Sequence, residues 1–276
     1  MREPALIPDV EVWRETILVK TRGLIRQRTW DNLARCGRDQ IWRTCGDCGH
    51  SLEHRFRCSQ KFCPGCNWSI QRHRAQQLRL WSQSISQPKH CILTRRNELA
   101  PNRELFRHTM ASFHRLRRQR WFEATGGCVS METTNEGRGW HVHLHALLNA
   151  RFVDVFQLAT RWGRLVGQED HAIVFVKDVR GADYVNEVCK YVVKSSDLAS
   201  WPPKEIAAFI NATQGVRMFR VFGTLFHERR RIKAMLKSMR PPPEPCTVCG
   251  SRHFRFETEA QSIYREHSLL HQRRRR

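Results

Sequence analysis

The segment GWHVHLHALLNA, residues 139–150, places His141, His143 and His145 on alternate positions of an apolar run. In an extended strand, residues i, i+2 and i+4 project from one face. The three imidazoles therefore share a face, and Val142, Leu144 and Ala146 share the other. Neutral imidazole is a common ligand for divalent metals, so three rings in phase suit a metal ion or a polyanion. A second constellation lies in YVNEVCKYVVKSSD, residues 184–197. On a helix, Glu187, Tyr191 four residues on and Lys194 three beyond that fall on one face. A carboxylate, a phenol and an ammonium together suit a nucleophile with a base and a phosphate-neutralising cation, and tyrosine is able to form covalent intermediates. The rival reading is a core tyrosine between surface charges.

The cysteines form a third group. CGDC (45–48) and CPGC (63–66) are two Cys-x-x-Cys knuckles separated by fourteen residues, a spacing that suits a tetrahedral four-thiolate zinc site. Cys45, Cys48, Cys63 and Cys66 are the expected ligands, with Cys58 a fifth thiol that could replace one. Four thiolates leave no open position, so such a site is structural. Near the C-terminus, CTVCG (246–250) precedes His267 and His271 in a basic stretch. Cys246, Cys249, His267 and His271 form a candidate second zinc site, although the seventeen-residue spacer between Cys249 and His267 is long. An unmetallated knuckle in a disordered basic tail is the alternative.

These groups need elements to hold them. The chain has 276 residues and 40% apolar composition, enough for one large domain or a core domain with appendages. Its 48 Lys and Arg against 26 Asp and Glu give a net charge of +22, which predicts a polyanionic partner, nucleic acid before membrane. The first twenty residues carry acids early and lack an apolar core, unlike a signal peptide, and no apolar run approaches a membrane span. The expected compartment is the cytoplasm, where eleven cysteines point to metal rather than disulfides.

Three regions follow: residues 1–88, Cys-rich and zinc-binding; 89–240, with alternating strand-like and helix-like patterns; and 241–276, a Pro-rich linker and basic Cys/His tail. HCILT (90–94) reads as a buried strand and 103–123 as an amphipathic helix. GCVSMETT (127–134) and WHVHLHALLN (140–149) read as strands joined by a hairpin loop. Residues 153–166 read as a helix, 171–179 as a strand, and a further helix runs from about Asp183 to Asp197. The order βαββαβ, then a helix, predicts an α+β fold with a central antiparallel sheet of the split-βαβ, ferredoxin-like type.

With these motifs in order, the sequence resembles the rolling-circle plasmid replication initiators of the HUH endonuclease superfamily. WHVHLHALL is similar to their His-hydrophobic-His motif and NEVCKYVVKSSD to their tyrosine motif. ILTRRN (92–97) resembles their first strand motif, RCSQKFCPGCNWSIQRHRA (57–75) the Cys-rich lead-in of one branch, and RMFRVFG (217–223) its closing segment. The resemblance covers roughly residues 45–225. Arg95 and Arg96 depart from the usual apolar or Pro residues after the first strand, and two arginines there suit DNA phosphates.

The resemblance implies Tyr191 as nucleophile, His143 and His145 as metal ligands, and Glu187 activating water for a second cleavage. The third ligand is Glu132 or His141, a glutamate favouring Mg²⁺ or Mn²⁺. It further implies an initiator that nicks single-stranded DNA at a plasmid origin through a 5′-phosphotyrosine and rejoins it, with a host helicase as candidate partner. The rivals are a transposase of the same superfamily and a non-enzymatic zinc-containing nucleic-acid-binding protein. The latter class usually stacks bases on aromatics across the sheet, where this strand carries histidines.

Overall fold

The computed structural model describes residues 9–83, 85–135, 137–168, 172–179, 198–239 and 244–257. Helices α1 (Val10–Thr21) and α2 (Gln27–Arg35) precede a hairpin of β1 (Gln40–Cys45) and β2 (Ser51–Arg55), then α3 (Pro64–Ser82). The succession β3 (Pro88–Thr94), α4 (Arg103–Leu116), β4 (Gly126–Asn135), β5 (Trp140–Asn149), α5 (Val155–Leu165) and β6 (Val174–Asp178) follows. Last come α6 (Pro203–Thr213), β7 (Phe219–Phe222), α7 (Gly223–Ser238) and β8 (Phe254–Phe256).

Local chemistry sets several boundaries. Asn102 caps α4, its side chain accepting from Leu105 N–H at 2.8 Å, and Asp154 caps α5 through Gln157 N–H at 2.9 Å, each satisfying an otherwise orphaned helical donor. Helix α4 ends at Leu116, short of the expected 123. Arg117, Arg118 and Arg120 cluster there, and Phe122 N–H closes a turn onto Gln119 O instead. Gly223 joins β7 to α7 with φ 55°, and a Cβ there would lie 2.1 Å from Thr125 O. No other residue fits.

The larger sheet has strand order β6-β3-β5-β4-β7, and every neighbouring pair is antiparallel. Its two faces differ. Val142, Leu144 and Ala146 of β5, with Leu93 and Met131, are buried against Phe106, Met110 and Phe113 of α4 and Leu158 and Trp162 of α5. The opposite face carries the histidines, and at the Leu147 end it is covered by Leu78 and Trp81 of α3 and Leu225, Ile232 and Leu236 of α7. A further core joins Trp13 and Ile17 of α1 and Leu33 of α2 to Ile206 and Ile210 of α6.

The smaller sheet has the order β2-β1-β8, and it changes the organisation expected of the chain. The segment set apart as a tail returns to the N-terminal region, with Arg43 pairing Phe256 and Cys45 pairing Phe254. Among the described residues, no helix is long and apolar enough to cross a membrane.

Candidate metal centre

Strand periodicity and hairpin register together build a cluster of Glu132, His143 and His145. The ladder of β4 on β5 sets Glu132 opposite His143 and Ser130 opposite His145, so the carboxylate rises from the same face as the two rings. Glu132 Oε2 lies 3.0 Å from His143 Nε2 and 2.9 Å from His145 Nε2. Both Glu132 and His145 are buried, at 5% and 3% exposure. Carboxylate oxygens and imine nitrogens turned on one point repel unless protons or a cation lie among them. Two imidazoles and a carboxylate form a set able to hold a divalent ion.

His141 stands apart from this cluster. Its ring is as close to that of His143, at 5.0 Å, as the His145 ring is at 4.9 Å, but its nitrogens do not join the ligand atoms that meet at Glu132, and it lines a depression with Asn97, Thr134 and Arg138. Of the two alternatives for the third position, the structure brings Glu132 to the histidine pair. A residue missed in the sequence stands behind it. His90 of β3 is buried, its Nε2 is 3.2 Å from His145 Nδ1, and the two rings stack at 5.4 Å. His90 is the third residue of β3, and the register of β3 on β5 turns it to the same side as His145.

Two four-cysteine clusters replace the expected grouping. Cys63 and Cys66 do not meet Cys45 and Cys48; they join Cys36 and Cys58. Cys45 and Cys48 instead join Cys246 and Cys249 across the smaller sheet. The physical reason is the chain path. Strand β8 lies beside β1 and brings Cys249 Sγ to 3.6 Å from Cys45 Sγ and Cys246 Sγ to 3.5 Å from Cys48 Sγ. The two knuckles match in detail. Each ends in a glycine at φ 72°, Gly49 and Gly250, whose N–H donates to the first cysteine's carbonyl.

In the buried cluster, Cys36 Sγ is 3.5 Å from Cys66 Sγ and 3.9 Å from Cys63 Sγ, and Cys58 Sγ is 3.6 Å from Cys66 Sγ. A tetrahedron with zinc–sulfur bonds of ~2.3 Å has edges of about 3.8 Å, so both clusters have the size of a tetrathiolate metal site. Hydrogen bonding from the Cys58 thiol, then from Cys63 and Cys66, holds the Cys36 pKa far below the usual thiol value. The backbone N–H of Cys48 leads those that lower Cys45 to about 6. The hydrogen bond shared with Cys36 pushes Cys58 and Cys63 up, and metal binding takes the protons from all four, thiolate being the form that binds. The ten described cysteines form no disulfides.

Other expected residues part company. Arg95 is 11% exposed at its side chain and donates to Thr109 Oγ1 at 3.0 Å and Glu98 Oε1 at 2.9 Å, which ties the end of β3 to α4. Arg96 is exposed. Glu187, Tyr191 and Lys194 lie outside the described residues, as do His267 and His271.

Comparison with known proteins gives one family. No curated protein and no solved structure matches the chain. Residues 50–239, which span α3 through α7 and include the Glu132, His143 and His145 cluster, match the family model described as Replication protein. The chain belongs to that replication protein family, the Rep proteins of rolling-circle plasmids.

Proposed function

We propose that the chain is a rolling-circle initiator of the HUH endonuclease type that nicks and rejoins single-stranded DNA at a plasmid origin. The observation that carries this reading is the convergence of Glu132, His143 and His145 on one face of the sheet, within the stretch matching the replication protein family. The strand order, in which the βαββαβ succession folds with β3 and β5 adjacent at the centre, supports the split-βαβ assignment. Magnesium or manganese bound by the three residues would draw charge from the non-bridging oxygens of the scissile phosphate.

The chain's own groups do the rest. The Tyr191 oxygen attacks phosphorus and forms a P–O bond as the bond to the 3′ oxygen breaks. The phenolic proton passes to a base and the leaving oxygen gains one, leaving a 5′-phosphotyrosine and a 3′-hydroxyl. Lys194 offsets phosphate charge, and Glu187 takes a proton from water in the second, hydrolytic cleavage. Arg96, exposed just after β3, would meet the DNA backbone. Zinc in the two four-cysteine clusters has a structural part.

Incubation of the protein with single-stranded fragments of its replicon and Mn²⁺, followed by a denaturing gel, tests the reading. Wild type should yield a covalent protein–DNA adduct, Tyr191→Phe none, and the His143→Ala and His145→Ala variants none with any divalent metal. An adduct in the Phe variant would move the nucleophile elsewhere.

A further inference from the structure

Beside Glu132 the structure has a cavity of about 300 Å³ that the nicking chemistry does not use. Phe62, Trp201, Phe209 and Met218 supply its apolar lining, and Gln60 and Gln214 also line it. Each wall is held from outside. The loop carrying Gln60 and Phe62 is pinned between Cys58 and Cys63 of the buried four-cysteine cluster, with Ser59 at φ 54°. Lys61 donates to Val216 O and ties this loop to the one after α6. Trp201 and Phe209 meet edge to face at 5.6 Å, and Phe209 stacks on Trp140 at 5.9 Å.

The fourth wall is an open strand edge. Met131 N–H donates to Met218 O at 2.8 Å, and the ladder of β4 with β7 covers residues 127–130. Outward-facing backbone groups recur every second residue of an antiparallel strand, so the N–H and C=O of Thr133 turn toward the cavity. Thr133 Oγ1 is buried with no hydrogen-bond partner among the described residues. Gln214 is oriented by donating to Thr29 Oγ1 at 2.9 Å, which leaves its carbonyl oxygen to accept.

A partly open cavity with aromatic walls and a few donors and acceptors suits a flat heterocycle with a polar edge. The +22 charge of the chain makes a polyanion the partner that brings one. We infer that this cavity takes one unstacked base of the single-stranded DNA, from a nucleotide next to the phosphate held at Glu132, and reads it through Gln60, Thr133 and Gln214. The inference rests on the proposed function for the position of that phosphate.

The test uses the full-length protein without added divalent metal and labelled dA12, dC12 and dT12, with affinities from fluorescence anisotropy. Wild type should favour one oligonucleotide over another by about tenfold, the scale of one well-placed base. The Gln60→Leu, Gln214→Leu double variant and Thr133→Val should each lose most of that preference. Affinity for the least favoured oligonucleotide, set by backbone charge, should stay within about twofold of wild type, which also shows that the variants fold. Equal wild-type affinities, or a preference that survives both variants, overturns the inference. Adduct formation is scored separately. An adduct with an unaltered preference in the variants sinks the cavity alone; a preference lost in the variants without any adduct in wild type sinks the nicking reading alone.

Discussion

His90 and His145 are both buried, and the 3.2 Å between Nε2 of one and Nδ1 of the other requires one ring to donate. If His145 is to offer a lone pair at Nε2 beside Glu132, its proton sits on Nδ1 and His90 accepts it. A partner of this kind fixes tautomer and ring orientation, and its loss typically weakens metal binding about 10–100-fold. His90→Ala should raise the Mn²⁺ concentration needed for half-maximal cleavage by that factor. His90→Gln, whose amide oxygen still accepts, should restore part of it; equal loss in both would reduce His90 to packing. Glu132→Gln tests the ligand itself, because it keeps shape while removing charge. It should abolish Mn²⁺-dependent cleavage and leave the melting temperature nearly unchanged. At this scale the sequence was informative. Alternation along β5 put His143 and His145 on one face, and the short loop between Asn135 and Trp140 sets the register that brings Glu132 opposite His143. His90 was missed because a lone histidine within a short strand carries no periodic signal.

At the scale of elements, the cysteines show where sequence proximity misleads. A Cys-x-x-Cys motif fixes how two thiols turn toward one point, but not which second pair shares that point. Fourteen residues separate the two N-terminal knuckles, yet β2 carries the chain away between them and β8 brings the partner of Cys45 and Cys48 from some two hundred residues downstream. Cys36 and Cys58, each a single thiol, close the other cluster. The strands and helices around the sheet were read more closely, since apolar periodicity reports burial directly. The regrouping has a measurable consequence. The full chain should hold two zinc ions by elemental analysis, and Cys246→Ser with Cys249→Ser should reduce this to one. Because the lost site staples only the three-stranded sheet, DNA cleavage should persist. Cys63→Ser with Cys66→Ser should do far more damage, since those thiols are buried in the core with Trp13 and Ile206 and metal binding there contributes to folding. Two zincs surviving in the Cys246, Cys249 variant would restore the shorter-range grouping.

At the scale of the whole molecule, exposed cations occur around both faces of the larger sheet, and one group of them lies beside the histidine face. Helices α3 and α7 pack over the Leu147 end of the histidine face, and their outer surfaces expose Arg72, Arg79, Arg229, Arg230, Lys233 and Lys237. Trp68 and Phe226 lie among these, with Arg72 5.4 Å from the Trp68 ring and Arg229 3.9 Å from the Phe226 ring. Cations interleaved with aromatics suit a nucleic-acid strand, since the backbone meets charge and unstacked bases meet rings. A strand crossing the metal centre would then continue over these helices. Each phosphate neutralised on single-stranded DNA contributes about −0.7 to the slope of log K against log salt. Replacing Arg229, Arg230 and Lys233 by Ala should therefore flatten that slope by about 2, weakening binding at low salt and much less at high salt. Arg231 is left out because it is paired with Glu228. Adduct yield at saturating protein should be unchanged, because none of the three belongs to the Glu132, His143 and His145 cluster. Lysine at all three positions keeps the charge and should keep the slope. A slope unaltered by the alanine substitutions would place the DNA path elsewhere on the surface.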